Sequence, residues 1–165
     1  MMIDLQEAKS YLTDWVINFL DIPQRVLNDI APCPYAKSAI VNGKIDFVLG
    51  SDSVIQDLLN LSASWDEQYE GVVLIYPNDI DSIKFTDSVE YVNENYYKHR
   101  GLIALEDHPQ ISETICNINF NNKHYAIIIV QYAEKLRNAS TMLNKRGYYK
   151  NWTNTNLDDV VNWRW

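Results

Sequence analysis

The chain is expected to fold as α/β: a single sandwich of about five strands with a C-terminal antiparallel hairpin and surrounding helices. An α+β arrangement is compatible with the same pattern. Three observations lead there. Apolar residues recur at helical spacing in several separate stretches. Between them lie short β-rich runs, and one of these, Val72-Val73-Leu74-Ile75-Tyr76, is apolar at every position, as a strand buried on both faces is. Finally, 165 residues, 47% of them hydrophobic, without an internal repeat or a low-complexity linker, suit one core and one domain over 1–165.

The elements follow in order. Asp4 is an N-cap acceptor with Glu7 three residues on, and Leu5, Ala8, Leu12, Trp15, Val16 and Phe19 then keep helical spacing until Pro23. Val26 to Ile30 reads as a short turn before Pro32, and Asn42-Gly43 as another. Lys44 to Leu49 alternates in part and reads as a strand. Ser51 or Ser53 caps a helix carrying Val54, Ile55, Leu58 and Leu59. The 72–76 strand stops at Pro77. Phe85, Val89, Val92 and Tyr96 form one face of a helix that Gly101 ends. Leu102 to Leu105 is a strand. Thr114 to Phe120 and His124 to Val130 are expected to pair as an antiparallel hairpin around Asn121-Asn122, because Asn tolerates positive φ. That places Cys116 mid-strand in the core. A helix from Ala133 to Arg146, with Leu136, Ala139, Met142 and Leu143 inward, ends at Gly147. A last short helix runs from Leu157 to Trp163.

Charge narrows the partners. The net charge is −8. An acidic chain lacks the Lys and Arg that displace counterions from nucleic acid, and it is repelled by anionic lipid, so neither nucleic acid nor membrane is an expected partner. No apolar run approaches the roughly 20 residues of a spanning helix. Asp4 and Glu7 stand where an export signal carries positive charge. The expected location is cytoplasmic, and no disulfide between the two cysteines is expected. The expected partner is a small molecule. The aromatic residues, Tyr148-Tyr149 and Trp152 with Trp163 and Trp165, suit a pocket wall, a core edge or a homodimer contact.

Two segments offer chemistry. In Pro32-Cys33-Pro34-Tyr35, the prolines hold the thiol on stiff, extended backbone. Cys33 is a candidate nucleophile, metal ligand or redox thiol, with Lys37 as a nearby cation; the competing reading is a small residue buried in a rigid turn. In Glu106-Asp107-His108-Pro109, a carboxylate beside an imidazole follows a strand, where sites gather in α/β proteins. Asp107 and His108 are therefore catalytic candidates, against the alternative of a polar loop. His124 and His99 read as structural. The chain has no phosphate-binding glycine loop, no paired CxxC, no HExxH and no GxSxG.

Pro32-Cys33-Pro34-Tyr35-Ala36 with Gly43-Lys44-Ile45, then Leu105 to Pro109, then Ile115 to Phe120 leading into Tyr125–Val130, together resemble the YcgG-type family over 31–129. Some members of that family are heme-dependent N-oxygenases of amines or guanidines. The early motif also resembles an uncharacterised bacterial family with a Leu-Cys-Pro-Phe-Ala segment and a later Phe-His-Pro. The chain departs from the first family where Val130-Gln131-Tyr132-Ala133-Glu134 replaces its histidine–arginine loop. Only Cys33 is carried over directly. The resemblance implies a small heme-dependent oxygenase-like enzyme acting on an amine-bearing small molecule. No iron ligand is carried over from that family; the later Phe-His-Pro of the second family and the loop placement make His108 the candidate iron ligand, with Tyr35 and Tyr148 as walls of the pocket and Cys33 on the same side of the sheet. Two alternatives remain: a Cys/His enzyme without iron, with Cys33 as nucleophile and His108 as base, and a non-catalytic binding or assembly protein.

Overall fold

In the computed structural model, which describes residues 2–165, the strands among those residues are β1 (Ile45–Leu49), β2 (Gly71–Tyr76), β3 (Leu102–Asp107), β4 (Thr114–Ile115), β5 (Ile118–Asn119) and β6 (Ala126–Tyr132). The helices are α1 (Leu5–Trp15), α2 (Ala36–Val41), α3 (Val54–Ala63), α4 (Ser82–Asn95), α5 (Ala133–Lys145) and α6 (Asn154–Val160). Four strands make one mixed sheet in the order β1-β2-β6-β3, with β1 and β2 parallel and β6 antiparallel to both of its neighbours. The fold class is α/β, as the pattern of alternating runs implied.

Local chemistry sets the boundaries. The Asp4 carboxylate accepts the Glu7 N–H at 2.8 Å and starts α1, and Ser53 and Asp81 cap α3 and α4 in the same way. α1 passes into a π-helical turn over Val16–Leu20 before Pro23. Gly43, Gly101 and Gly147 adopt positive φ where the expected turns lie.

The sheet divides the core. One face carries Leu74, Tyr76, Ala104, Ala126, Ile128 and Val130 against Leu58 of α3 and Phe85, Val89 and Val92 of α4. The other carries Phe47, Val73, Ile75 and Ile127 against Ala8 and Leu12 of α1. A third cluster joins Leu27, Ile30, Ile115, Leu143, Tyr148, Trp152 and Val161. The outer edge of β3 is closed by Asn93, whose amide donates to the Ala104 carbonyl and accepts its N–H, both at 2.9 Å. A side chain thus replaces a missing strand on an otherwise open edge.

The expected hairpin is different. Thr114–Ile115 pairs with Ile118–Asn119, and Tyr125–Val130 does not pair with either. β6 instead lies between β2 and β3. The tight turn falls at Cys116-Asn117, both at positive φ, so Cys116 is a half-buried turn residue and not a mid-strand core residue. The Asn121-Asn122 pair serves as a side-chain latch. Asn122 donates to Asp107 and to the Tyr125 carbonyl, and its own oxygen accepts from His124 and Tyr125 N–H. Met142 faces outward, 53% exposed, because Ser140 and Leu143 take the inner stripe of α5.

Candidate functional site

A chamber of about 490 Å³ lies on the α1 side of the sheet. Its floor is sheet, with Phe47, Val73, Leu105, Ile127 and Ile129; its walls are Trp15 and Leu20, the 32–36 segment, Leu136 and Ser140 of α5, and Tyr148, Tyr149 and Trp152. Leu105 and Ile129 keep accessible surface although β6 is a central strand, because both line the chamber. The size suits a small organic ligand, and the lining is mostly apolar with few polar groups.

The Pro-Cys-Pro segment is fixed from two sides. The Cys33 N–H donates to the Leu20 carbonyl at 2.8 Å, and the buried Tyr148 hydroxyl donates to the Pro32 carbonyl at 2.6 Å. Two prolines and two such bonds leave the thiol little freedom. Cys33 sits deep yet keeps some accessible surface, since it faces the chamber. Burial pushes its pKa up, against smaller lowering by the Ala36 and Tyr35 N–H groups and by Arg164. The thiol is therefore held protonated, the opposite of an activated nucleophile. Lys37 does not serve it; that ammonium pairs with Asp21 at 3.3 Å. Both cysteines are free. Tyr35 sits at the rim with its ring half exposed, while Tyr148 is buried.

The chamber opens beside the β3 edge into a mouth lined by Glu90 and Glu94 of α4, Glu106 and Asp107 of β3, Glu113, and Asp159 of α6. Arg164 is the one cation among the mouth-lining residues. Burial raises the pKa of Glu106, Asp107 and Glu113; neighbouring carboxylates add to this for Glu106 and Glu113, while the Asn122 bonds and His108 work against it in Asp107. Carboxylates crowded in a half-dry site resist ionising together. Asp107 is also committed: the Asn122 backbone N–H and side-chain amide donate to it at 2.9 and 2.7 Å.

His108 lies elsewhere. β3 runs through Asp107, so Glu106 and Asp107 are strand residues, and His108 falls on the α4 side of the sheet, its ring edge-on to Phe85 at 5.5 Å. It is 1% exposed. Nε2 bonds to the Ile80 carbonyl at 2.8 Å, and Nδ1 accepts the Gln110 N–H at 3.1 Å. These partners require the proton on Nε2. The expectation that Cys33 and His108 share one side of the sheet is thus corrected: the sheet stands between them. The two cannot form a dyad. Neither ring nitrogen is open to an iron, so His108 does not fit the axial bond of a heme. His124, exposed, packs tilted against Tyr11 and edge-on to Tyr125.

Sequence reasoning missed Arg164 and the helix-borne Glu90 and Glu94. Only an arginine enclosed by Trp163 and Trp165 hinted at the first. The carboxylates of α4 become visible once Asn93 is seen to draw that helix onto the β3 edge. No protein-family model, no curated protein and no solved structure matches this chain.

Proposed function

We propose that this protein binds a small amine-bearing molecule, with the apolar part of the ligand in the chamber beside Cys33 and its cation at the acidic mouth. The observation that carries the reading is the joining of an apolar chamber to a rim of carboxylates. An ammonium in a partly desolvated cleft of that sign is attracted far more strongly than in water. Binding without bond-making is the better reading of Cys33, because burial keeps the thiol protonated and His108 lies behind the sheet. The amine-bearing ligand is the class that the family resemblance also implied.

Titration with phenethylamine, followed by the fluorescence of Trp15 and Trp163 at the mouth, tests this. A bound ligand also covers Cys33 and slows its alkylation by iodoacetamide. The double variant Glu106→Gln/Glu113→Gln is expected to weaken the amine about tenfold, which corresponds to roughly 1.4 kcal/mol. An amine that neither changes the fluorescence nor protects Cys33 at millimolar concentration overturns the proposal.

A further inference from the structure

We infer that the ligand is a zwitterion, an apolar molecule with a carboxylate beside its amine, and that Arg164 receives the carboxylate. This rests on the binding reading above and adds the second head group. Arg164 lines both the chamber and the mouth and is deep enough that burial works against its charge. Its guanidinium makes no hydrogen bond and no ion pair among the described residues, and its Nε is enclosed without a partner. Arg164 is half-buried, and a charge at that depth without a protein partner is costly, so structures that keep one generally supply its partner. Arginine only donates, so the missing partner is an acceptor.

Glu113 completes the argument. Its carboxylate lines the same two spaces and accepts no hydrogen bond among the described residues. It influences Arg164 through space yet stands beyond ion-pair distance. A cation and an anion that face one void without meeting are bridged by a ligand carrying both signs. A simple anion is opposed at the mouth by Glu90, Glu106 and Asp159. A simple amine leaves Arg164 unsatisfied. An α-amino acid with an apolar side chain serves Arg164 and Glu113 together, because a planar carboxylate matches the guanidinium fork.

The test uses a matched set on the whole chain: L-phenylalanine, phenethylamine, which lacks the carboxylate, and 3-phenylpropionate, which lacks the amine. The amino acid should bind at least about tenfold more tightly than the amine, the change expected for one charge-assisted contact, and 3-phenylpropionate should bind weakest. Arg164→Gln should erase that advantage while phenethylamine, relieved of the one cation at the mouth, binds at least as tightly as to the unmodified protein, which shows the chamber intact. Arg164→Lys, with the charge but not the fork, should restore part of the advantage. If phenethylamine binds as well as phenylalanine, or if Arg164→Gln preserves the preference, the zwitterion is overturned and the amine site stands. If none of the three binds, both readings fall.

Discussion

His108 is held by geometry that leaves it no chemical freedom. Its Nε2–H is engaged with the Ile80 carbonyl, its Nδ1 with the Gln110 N–H, and its own carbonyl accepts from the Asn121 amide at 2.5 Å. Together these tie the loop before α4 to the turn that leaves β3. Removing the ring strips two half-buried backbone groups of partners and opens a cavity against Phe85. His108→Ala should therefore destabilise the fold by about 2–4 kcal/mol, read from urea unfolding. Phenethylamine affinity, measured under folding conditions, should stay within about twofold. A stable His108→Ala protein that no longer binds amine would make His108 part of the site instead. Cys33 behaves differently although it was singled out on similar grounds. Its position on stiff backbone was legible from the two prolines, but the direction of its pKa shift was not, because burial sets it and the burying walls come from distant residues such as Tyr148, with Arg164 opposing the rise.

At the scale of elements, the signals that depend on a few consecutive residues succeeded. The Asp4 and Ser53 caps, the all-apolar 72–76 strand and the Gly147 stop stand where their chemistry placed them. Strand pairing between 114 and 130 did not, and the reason is specific. Asn-Asn is a better turn pair than Cys-Asn by backbone preference, but the Asn122 side chain gains more bonds in the latch to Asp107 and Tyr125 than a hairpin turn gives it. Long-range pairing overrode the local rule. The same blindness hid the site: Glu90, Glu113 and Arg164 converge only after β6 inserts between β2 and β3 and the chain folds back. The observed turn is open to a direct check. Asn117 has φ +65° and Cys116 φ +52°. A β-branched residue resists that region by about 1–2 kcal/mol. Asn117→Val should lose about that much stability, whereas Asn117→Gly should be neutral or slightly stabilising. Equal unfolding midpoints for the two variants would contradict a turn at 116–117.

Across the whole molecule, the net charge of −8 is not spread evenly; part of it is concentrated where the chamber opens. Glu106 and Asp107 on β3 and Glu113 before β4 have pKa values raised chiefly by burial. They face Glu90 and Glu94 from α4, Asp159 and Arg164 from the C-terminal segment, and Cys33 from the opposite wall. A carboxyl whose pKa is higher in the folded state binds more protons folded than unfolded. Its contribution to stability is then fully present below the unfolded value, ordinarily about 4, and is lost as pH rises through the raised folded value. The mouth should therefore cost the free protein stability between mildly acidic and neutral pH. An ammonium at the mouth reverses the balance, since it favours the ionised carboxylates; binding releases protons, and amine affinity rises with pH across the same window. Comparison of Tm against pH for the unmodified protein and Glu106→Gln/Glu113→Gln isolates these groups from all other carboxylates. The variant should lose less stability than the unmodified protein as pH rises from about 4.5 to 7, and saturating phenethylamine should raise the Tm of the unmodified protein more at pH 7 than at pH 5. Parallel Tm curves for the two proteins, or an amine effect that grows toward acid pH, would mean that the mouth carboxylates are not poised by burial and do not receive the cation.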